Sequence, residues 1–318
     1  MGADAVLGAL EAATGPVLLT GPVSPDGDSL GACLALQRVL AQRGVAAAVC
    51  GQASYRYGSL PGIQHLLPDD EVGTDWQLVV VLDGDRHRLT PPVARAFEAA
   101  AARAIVDHHG STVDDGYDHF WVESGAASTT AMLYRAFVAR DWPVDAQTAQ
   151  LLYVGLVFDT GCFRYSNATA SVLHMAGDLV AHGFDHAQLC ARVMHERRPE
   201  ALRLQAAVYD EATFDGGVAV GHVPLELQAR VGMVPGDLEG LVESLVHTVG
   251  VEVAVLFVHR TPDTVKLSLR SRGAVDVAAV AQSLAPTGGG HRKAAGVSIP
   301  PARVGEAIAA LRAAVSAP

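Results

Sequence analysis

The chain has no stretch of about 18 uncharged apolar residues, the length a membrane-spanning helix needs, so a helical membrane protein is not expected. Asp4 and Glu11 stand where a secretory leader has its basic region, and the Met-Gly start lacks the Ser or Thr of a myristoylation signal. The expectation is a cytoplasmic protein with no membrane partner. Cysteine is scarce: Cys33, Cys50, Cys162 and Cys190 are scattered without a Cys-x-x-Cys pair, which argues against a disulfide framework and against a zinc ribbon. They read as buried small hydrophobes in a reducing compartment. Positive charge is scarce too, with 23 Lys and Arg against 34 Asp and Glu and a net charge of -11. Binding to long duplex nucleic acid is therefore not expected, since neutralising phosphates takes clustered basic residues. A small anionic substrate stays open if metal ions or a local basic cluster receive it.

What is present is apolar and long enough to fold. Half of the 318 residues are hydrophobic and 18% are charged, enough for two domains with separate cores. Residues 4–13 read as a short helix and Pro16 to Thr20 as a first strand. The turn-rich connection Gly21-Pro-Val-Ser-Pro-Asp-Gly-Asp-Ser-Leu-Gly31 leads into a helix ending near Gly44. Val45 to Cys50, Leu78 to Leu82 and Ala104 to Val106 are further strands, with a helix at 92–102 between the last two. Continuous apolar runs separated by helices predict an α/β fold, a parallel sheet with helices on both faces. Helices follow over 125–140 and 146–158 and on to about Met194. The polar stretch His195-Glu-Arg-Arg-Pro-Glu200 suggests a linker.

The second half has a different texture. Helices are expected at 202–213 and 236–247, and strands at 218–223, 251–258 and 265–270. Thr261-Pro-Asp-Thr264 should turn the last two strands into an antiparallel hairpin. A helix from about Val275, the loop Thr287-Gly-Gly-Gly-His-Arg-Lys-Ala-Ala-Gly296, a short strand and a final helix complete a smaller α+β domain. No internal repeat is visible.

Chemistry concentrates at four places in the first half, one of them Asp159 at the end of the helix over 146–158. Asp26/Asp28, Asp83/Asp85 and Asp107-His108-His109 each lie just beyond an apolar strand, where ligands sit in open α/β sheets. Paired carboxylates on a tight turn cannot both be buried as charges without a cation, although the same pair also suits plain helix capping. Imidazoles beside an acid are material for metal ligation, because the acid can hold the nitrogen that the metal does not use. Carboxylate with imidazole and no thiolate favours Mn²⁺ or a related divalent ion. Two such ions would generate a hydroxide and stabilise phosphoryl charge, so the reaction class is phosphoester hydrolysis. In the second half, Gly288, Gly289 and Gly290 can bring backbone N–H groups to an anion, with His291, Arg292 and Lys293 adding donors. Arg164 and Arg270 are candidates for forked phosphate contacts, and a surface salt bridge would also account for either.

These motifs closely resemble the DHH phosphoesterases, in particular the two-domain group of short-oligoribonucleotide hydrolases, 3'-phosphoadenosine 5'-phosphate phosphatases and cyclic-dinucleotide phosphodiesterases. The matching stretches are Ser24-Pro-Asp-Gly-Asp-Ser-Leu-Gly31, Val80-Val-Leu-Asp-Gly-Asp85, Val106-Asp-His-His109, Ala127-Ser-Thr129, Phe158-Asp-Thr-Gly161 with Phe163-Arg164, Ser268-Leu-Arg-Ser271, and Gly288-Gly-Gly-His291 with Ala294-Ala-Gly296. The resemblance implies a catalytic domain over residues 1–190, a linker over 191–203 and a DHH-associated substrate-binding domain over 204–318, with nucleotide held between the domains. It implies that Asp26 binds a first Mn²⁺, that Asp28, His108 and Asp159 bind a second, and that Asp83 bridges them. His109, supported by Asp107, would face the substrate phosphate, with Arg164 stabilising charge. Arg270, Ser271, Gly288, Gly289, Gly290 and His291 would hold the rest of the substrate.

One position departs from the family pattern. Pro22 stands where the family usually has His, three residues before the proline of the Pro-Asp-Gly-Asp turn. The first ion then has Asp26 and Asp83, helped by water, Asp85 or His87, and its site should be weakened. The expected function is Mn²⁺-dependent hydrolysis of short oligoribonucleotides or linear dinucleotides to mononucleotides, or of 3'-phosphoadenosine 5'-phosphate to AMP. The alternatives are a cyclic-dinucleotide phosphodiesterase, or a nucleotide-binding or sensory protein whose catalysis Pro22 impairs. The resemblance leaves a homodimer open.

Overall fold

The computed structural model describes residues 2–234 and 236–316. Contacts divide the chain into two units, Met1–Glu196 and Arg197–Pro318. In the first unit the elements run α1 (Ala3–Glu11), β1 (Val17–Thr20), α2 (Gly27–Gln42), β2 (Ala47–Cys50), β3 (Leu78–Leu82), α3 (Pro91–Ala99), β4 (Ala102–Asp107), β5 (His119–Val122), α4 (Thr129–Ala139), α5 (Ala146–Asp159), α6 (Ala170–Val180) and α7 (His186–Cys190). The five strands form one parallel sheet in the order β2-β1-β3-β4-β5.

Strand residues alternate between the two faces, and each face is covered. Val17, Leu19, Val80, Leu82, Ala104 and Val106 join a large core with the helices of one side, including α2, α4 and α5. Leu18, Val79, Val81 and Ile105 face a smaller core with Val93, Ala96 and Phe97 of α3. Both faces are dry, which is why β1 and β3 read as unbroken apolar runs. β5 has no counterpart in the sequence reading: it is an edge strand in which only Trp121 is buried, so it carries no apolar run.

Two helices approach unusually closely beneath the carboxyl edge of the sheet. A Cβ on Gly31 of α2 would lie 2.5 Å from the Leu151 carbonyl oxygen of α5. A Cβ on Gly155 of α5 would lie 2.2 Å from Asp28 Oδ1 and 2.4 Å from Thr130 Oγ1. Gly155 thus leaves the space that a buried carboxylate and its hydroxyl partner occupy.

The second unit comprises α8 (Pro199–Asp210), β6 (Thr213–Asp215), β7 (Val218–Val223), α9 (Leu225–Val231), α10 (Leu241–Val246), β8 (Val253–Thr261), β9 (Thr264–Ser271), α11 (Val277–Leu284), β10 (Gly289–His291), β11 (Ala294–Ile299) and α12 (Val304–Ser316). Its mixed sheet has the order β10-β11-β9-β8-β7-β6, with β7 and β8 parallel and the β8–β9 hairpin antiparallel. Buried residues of α11 and α12 fill one face, while α8, α9 and α10 supply the other. α10 is shorter than the helix expected over 236–247, and Pro235 lies outside the described residues. The polar stretch after Met194 is brief: one π-helical turn ends at His195 and Pro199 opens α8, a position where its missing N–H is harmless.

Cys33 and Cys50 are buried, but Cys162 and Cys190 are only partly so, because they lie at helix ends rather than in the core. Among the described residues no helix is long and apolar enough to cross a membrane.

Candidate metal centre

β1, β3 and β4 end at the same edge of the sheet, and the register pairs Leu82 with Val106, so Asp83 and the end of β4 lie side by side. The Asp83 amide still donates to the Val106 carbonyl at 3.0 Å. The residue then takes a left-handed φ of 62°, a conformation rarely adopted outside glycine and one that concentrates at functional sites.

Asp28 sits in the first turn of α2 and is fully buried. Its carboxylate also meets the N-terminus of α4. Thr129 N donates to Oδ2 at 2.6 Å, and Thr130 N and Oγ1 donate to Oδ1 at 3.0 and 2.7 Å. Two helix N-termini favour the negative charge. Three donors occupy three of the roughly four lone-pair positions of the carboxylate, leaving one on Oδ2. That oxygen is 4.0 Å from His108 Nε2.

His108 is buried just beyond β4, and its Nδ1 lies 3.3 Å from the Ala126 carbonyl oxygen. A carbonyl can only accept, so Nδ1 carries the proton and Nε2 is the atom turned to the acids. Nε2 is 3.0 Å from Asp159 Oδ2, 3.4 Å from Asp83 Oδ1 and 4.0 Å from Asp28 Oδ2. Asp159 arrives from the C-terminal end of α5. Ligand atoms of Asp28, Asp83, His108 and Asp159 all lie within 4.8 Å of one another.

Acids gathered this tightly hold protons when no other cation balances them. Burial, then the Asp28 and Asp26 charges, push Asp83 well above the ordinary carboxylate range. Burial and Asp28 raise Asp159 to about 7. Burial opposes the charge on His108, yet the Asp159 and Asp83 carboxylates beside Nε2 override it and raise the imidazole to about 12. The same demand for positive charge suits a divalent cation, and three carboxylates with one imidazole are the donor set of Mn²⁺ or Mg²⁺ rather than of a thiolate metal.

Asp107 has a different part. It is fully buried and accepts from His108 N at 2.8 Å, from His109 Nδ1 at 2.7 Å and from Thr112 Oγ1. Burial would raise its pKa, but the bonds from His109 and Thr112 outweigh it and hold the carboxyl below its usual range. Asp107 therefore stays ionised and fixes His109. Atoms of Asp83, Asp107 and His109 form a second close group.

Asp26 stands apart. It is the N-cap of α2, its Oδ1 accepting from Asp28 N and Ser29 N at 3.0 and 3.2 Å, and it belongs to no close donor group among the described residues. Burial and the Asp28 charge raise its pKa. Pro22 is buried, and its ring lies 3.3 Å from the position a Cβ on Gly84 would take. Asp85 and His87, expected as substitute donors, are engaged elsewhere: Asp85 Oδ1 caps a short turn through His87 N at 2.8 Å, and His87 Nε2 faces Asp115 at 3.4 Å. Arg164 is exposed, with Nε donating to the Gly161 carbonyl at 2.7 Å.

The candidates in the second unit also have local partners. Arg270 Nε pairs with Glu243 at 2.8 Å, the salt bridge that sequence reasoning held open. Ser271 is buried on the opposite face of β9, its Oγ without a hydrogen-bond partner among the described residues. A Cβ on Gly288 would meet the Ala281 carbonyl oxygen at 2.2 Å, so that position accepts only glycine. Gly289, Gly290 and His291 form β10, paired with β11. Arg292 and Lys293 donate to the carbonyls of Ala274 and Gly273.

Sequence reasoning missed Thr130 as a partner of Asp28, Thr112 as a partner of Asp107, and Asn167, which donates to the carbonyls of Asp159 and Ala127. The hydroxyl pair Thr129-Thr130 at a helix start was a usable signal; Asn167 had none.

The family model described as "DHH family, N-terminal domain" matches residues 16–156, and that described as "DHHA1 domain" matches residues 217–317. The chain is 30% identical over 302 residues to the Thermus thermophilus protein named bifunctional oligoribonuclease and PAP phosphatase NrnA, covering 91% of this chain and 86% of that one. Among solved structures it is similar to an exopolyphosphatase-related protein from Bacteroides fragilis, with TM-score 0.85, 22% identity, and coverage of 98% of this chain and 95% of that one. It is also similar to Thermus thermophilus RecJ in complex with Mn²⁺, with TM-score 0.58, 16% identity, and coverage of 99% of this chain and 54% of that one.

Proposed function

Because the chain belongs to the DHH phosphoesterase family and carries the DHH-associated domain as well, we propose that it is a Mn²⁺-dependent hydrolase of small nucleotides. Its substrates are short oligoribonucleotides or linear dinucleotides, cleaved to mononucleotides, or 3'-phosphoadenosine 5'-phosphate, cleaved to AMP. The observation that carries this reading is the four-residue group Asp28, Asp83, His108 and Asp159, whose donors face one point and whose protons a divalent ion would replace. The name of the Thermus thermophilus relative, an oligoribonuclease and PAP phosphatase, supports the substrate class.

In this reading those four residues would hold one ion, and Asp83 with Asp26 would hold a second. When bound, the ions supply positive charge that acidifies water and stabilises charge on a phosphoryl oxygen. The remaining work belongs to the chain. Asp107 accepts a hydrogen bond from Nδ1–H of His109, so contact with a phosphoryl oxygen falls to Nε2. Arg164, whose guanidinium is anchored at Nε alone among the described residues, presents its terminal nitrogens to developing charge. Arg270, Ser271, Gly288, Gly289, Gly290 and His291, within 204–318, bind the rest of the nucleotide. The ion shared by Asp83 and Asp26 is the weaker one, because Pro22 offers no donor and Asp85 and His87 are engaged elsewhere.

That weakness supports a second reading, a nucleotide-binding protein with reduced turnover. A substrate panel under Mn²⁺ titration separates the two. The enzyme reading expects Mn²⁺-dependent release of mononucleotides from linear dinucleotides, or of AMP from the bisphosphate. Binding of every nucleotide without turnover would establish the second reading, and release from cyclic dinucleotides alone would move the substrate class.

A further inference from the structure

The segment after α5 turns back on itself in an unusual way. Gly161, Cys162 and Phe163 all have left-handed φ values, 56°, 56° and 61°. Thr160 stabilises the reversal: its carbonyl accepts from Arg164 N and Tyr165 N at 2.9 and 3.1 Å, and its hydroxyl accepts from Phe163 N at 3.1 Å. The chain is thereby returned across the end of α5, and Asn167 lies beside Asp159. Its Nδ2 donates to the Asp159 carbonyl at 3.1 Å and to the Ala127 carbonyl at 3.2 Å. Both partners are carbonyl oxygens, so the amide must present its NH₂ group to them.

Those two carbonyls belong to the segments that aim two of the four donors. Asp159 carries its own carboxylate. Ala127 follows Ala126, whose carbonyl oxygen takes His108 Nδ1 at 3.3 Å. We propose that Asn167 is a positioning residue of the metal centre: by bridging the Asp159 and Ala127 carbonyls it fixes Asp159 and the backbone that orients His108 relative to each other. This rests on the reading that both side chains ligate a divalent ion. The residue acts through these backbone groups and makes no direct contact with their ligand atoms.

The unused half of the amide supports the assignment. Asn167 Oδ1 is buried without a hydrogen-bond partner among the described residues. Both contacts to the backbone of the centre are made by the NH₂ group, so the two N–H donors are what this position supplies. No apolar residue could replace them, and serine or threonine has only one hydroxyl proton for two carbonyls that need one each.

The test is calorimetric titration of Mn²⁺ into metal-free wild type, Asn167→Ala and Asn167→Asp, well below the melting transition, with circular dichroism confirming the fold. Asn167→Asp is nearly isosteric and sets a carboxylate against two carbonyls, so it probes the donors without opening a cavity. The expected result is Mn²⁺ affinity about tenfold or more weaker in both variants, the scale seen when an outer partner of a metal ligand is lost. Unchanged affinity in the folded variants overturns the proposal, including the case where only the metal-free melting temperature falls, which is what a purely structural role would produce. If wild type itself failed to bind Mn²⁺, the metal reading would fall and this one with it; intact wild-type binding with unchanged variants would remove only the role of Asn167.

Discussion

Replacing Thr130 with valine keeps the shape of the side chain and removes one buried hydroxyl, which donates to Asp28 Oδ1 and lies 2.8 Å from Ser128 Oγ. Asp28 is fully buried and depends on three donors, of which Thr130 Oγ1, at 2.7 Å, is the only one that belongs to a side chain. The hydroxyl also fits a tight space, since Gly155 leaves no room for a Cβ between it and Asp28 Oδ1. A hydrogen bond to a charged group contributes about 1.5–3 kcal/mol, and valine matches threonine in volume, so no cavity offsets or adds to the loss. We expect Thr130→Val to lower the unfolding free energy of the metal-free protein by about 2 kcal/mol in urea titrations near neutral pH. Mn²⁺ affinity should fall about tenfold, as Asp28 loses the contact that aims Oδ2. Thr130→Ser keeps the hydroxyl and should retain the affinity. A Thr130→Val variant with wild-type stability and wild-type affinity, or a Thr130→Ser variant as impaired as valine, would refute the reasoning.

Other outcomes follow from the charge balance. In the metal-free protein Asp159 is raised to about 7 and Asp83 is raised as well, so between the ordinary carboxylate range and neutrality the native state binds more protons than the unfolded chain. His108, raised to about 12, acts in the same direction, its contribution being complete below its ordinary value of 6.5 and lost as pH climbs. Metal-free melting temperature should therefore fall from pH about 5 to about 8, and the rise produced by Mn²⁺ should grow over the same interval, because ligands must shed protons to bind. A metal-free protein that gained stability across that interval would contradict the assignment. Pro22→His places an imidazole beside Gly84, next to Asp83. It should tighten a second Mn²⁺ in calorimetric titrations, and an unaltered binding isotherm would show that the missing imidazole is not what limits that ion.

The sheet was legible because β1 and β3 are unbroken apolar runs, and because polar residues beginning directly after Leu82 and Val106 mark where strands stop. β5 was not legible, since one buried Trp121 on an edge strand leaves no pattern to read. The start of α4 was placed too early, at Gly125, because small residues extend upstream of the cap that actually opens it, Ser128, whose hydroxyl accepts from Ala131 N at 3.0 Å. Within the site, the acids and imidazoles announced themselves by residue type. Their partners did not. Thr130 lies 102 residues from Asp28 and Asn167 lies 40 from Ala127, and both are ordinary residues in their local context. Asp26 was ambiguous between ligand and helix cap from the start, and it does cap α2.

Asp83 lies 3.2 Å from Thr129 Oγ1, 3.4 Å from His108 Nε2 and 3.9 Å from His109 Nδ1, and under the proposed function it would be the carboxylate shared by the metal ions beside the substrate phosphate. Asp83→Asn keeps the shape and removes the charge. In metal-free form it should be at least as stable as wild type, because it relieves a buried acid pressed by its neighbours. The direct measurement is hydrolysis of a linear dinucleotide by this variant at saturating Mn²⁺. A loss of about a hundredfold or more in rate is the predicted result. A stable Asp83→Asn protein that turned over the dinucleotide at the wild-type rate would contradict it.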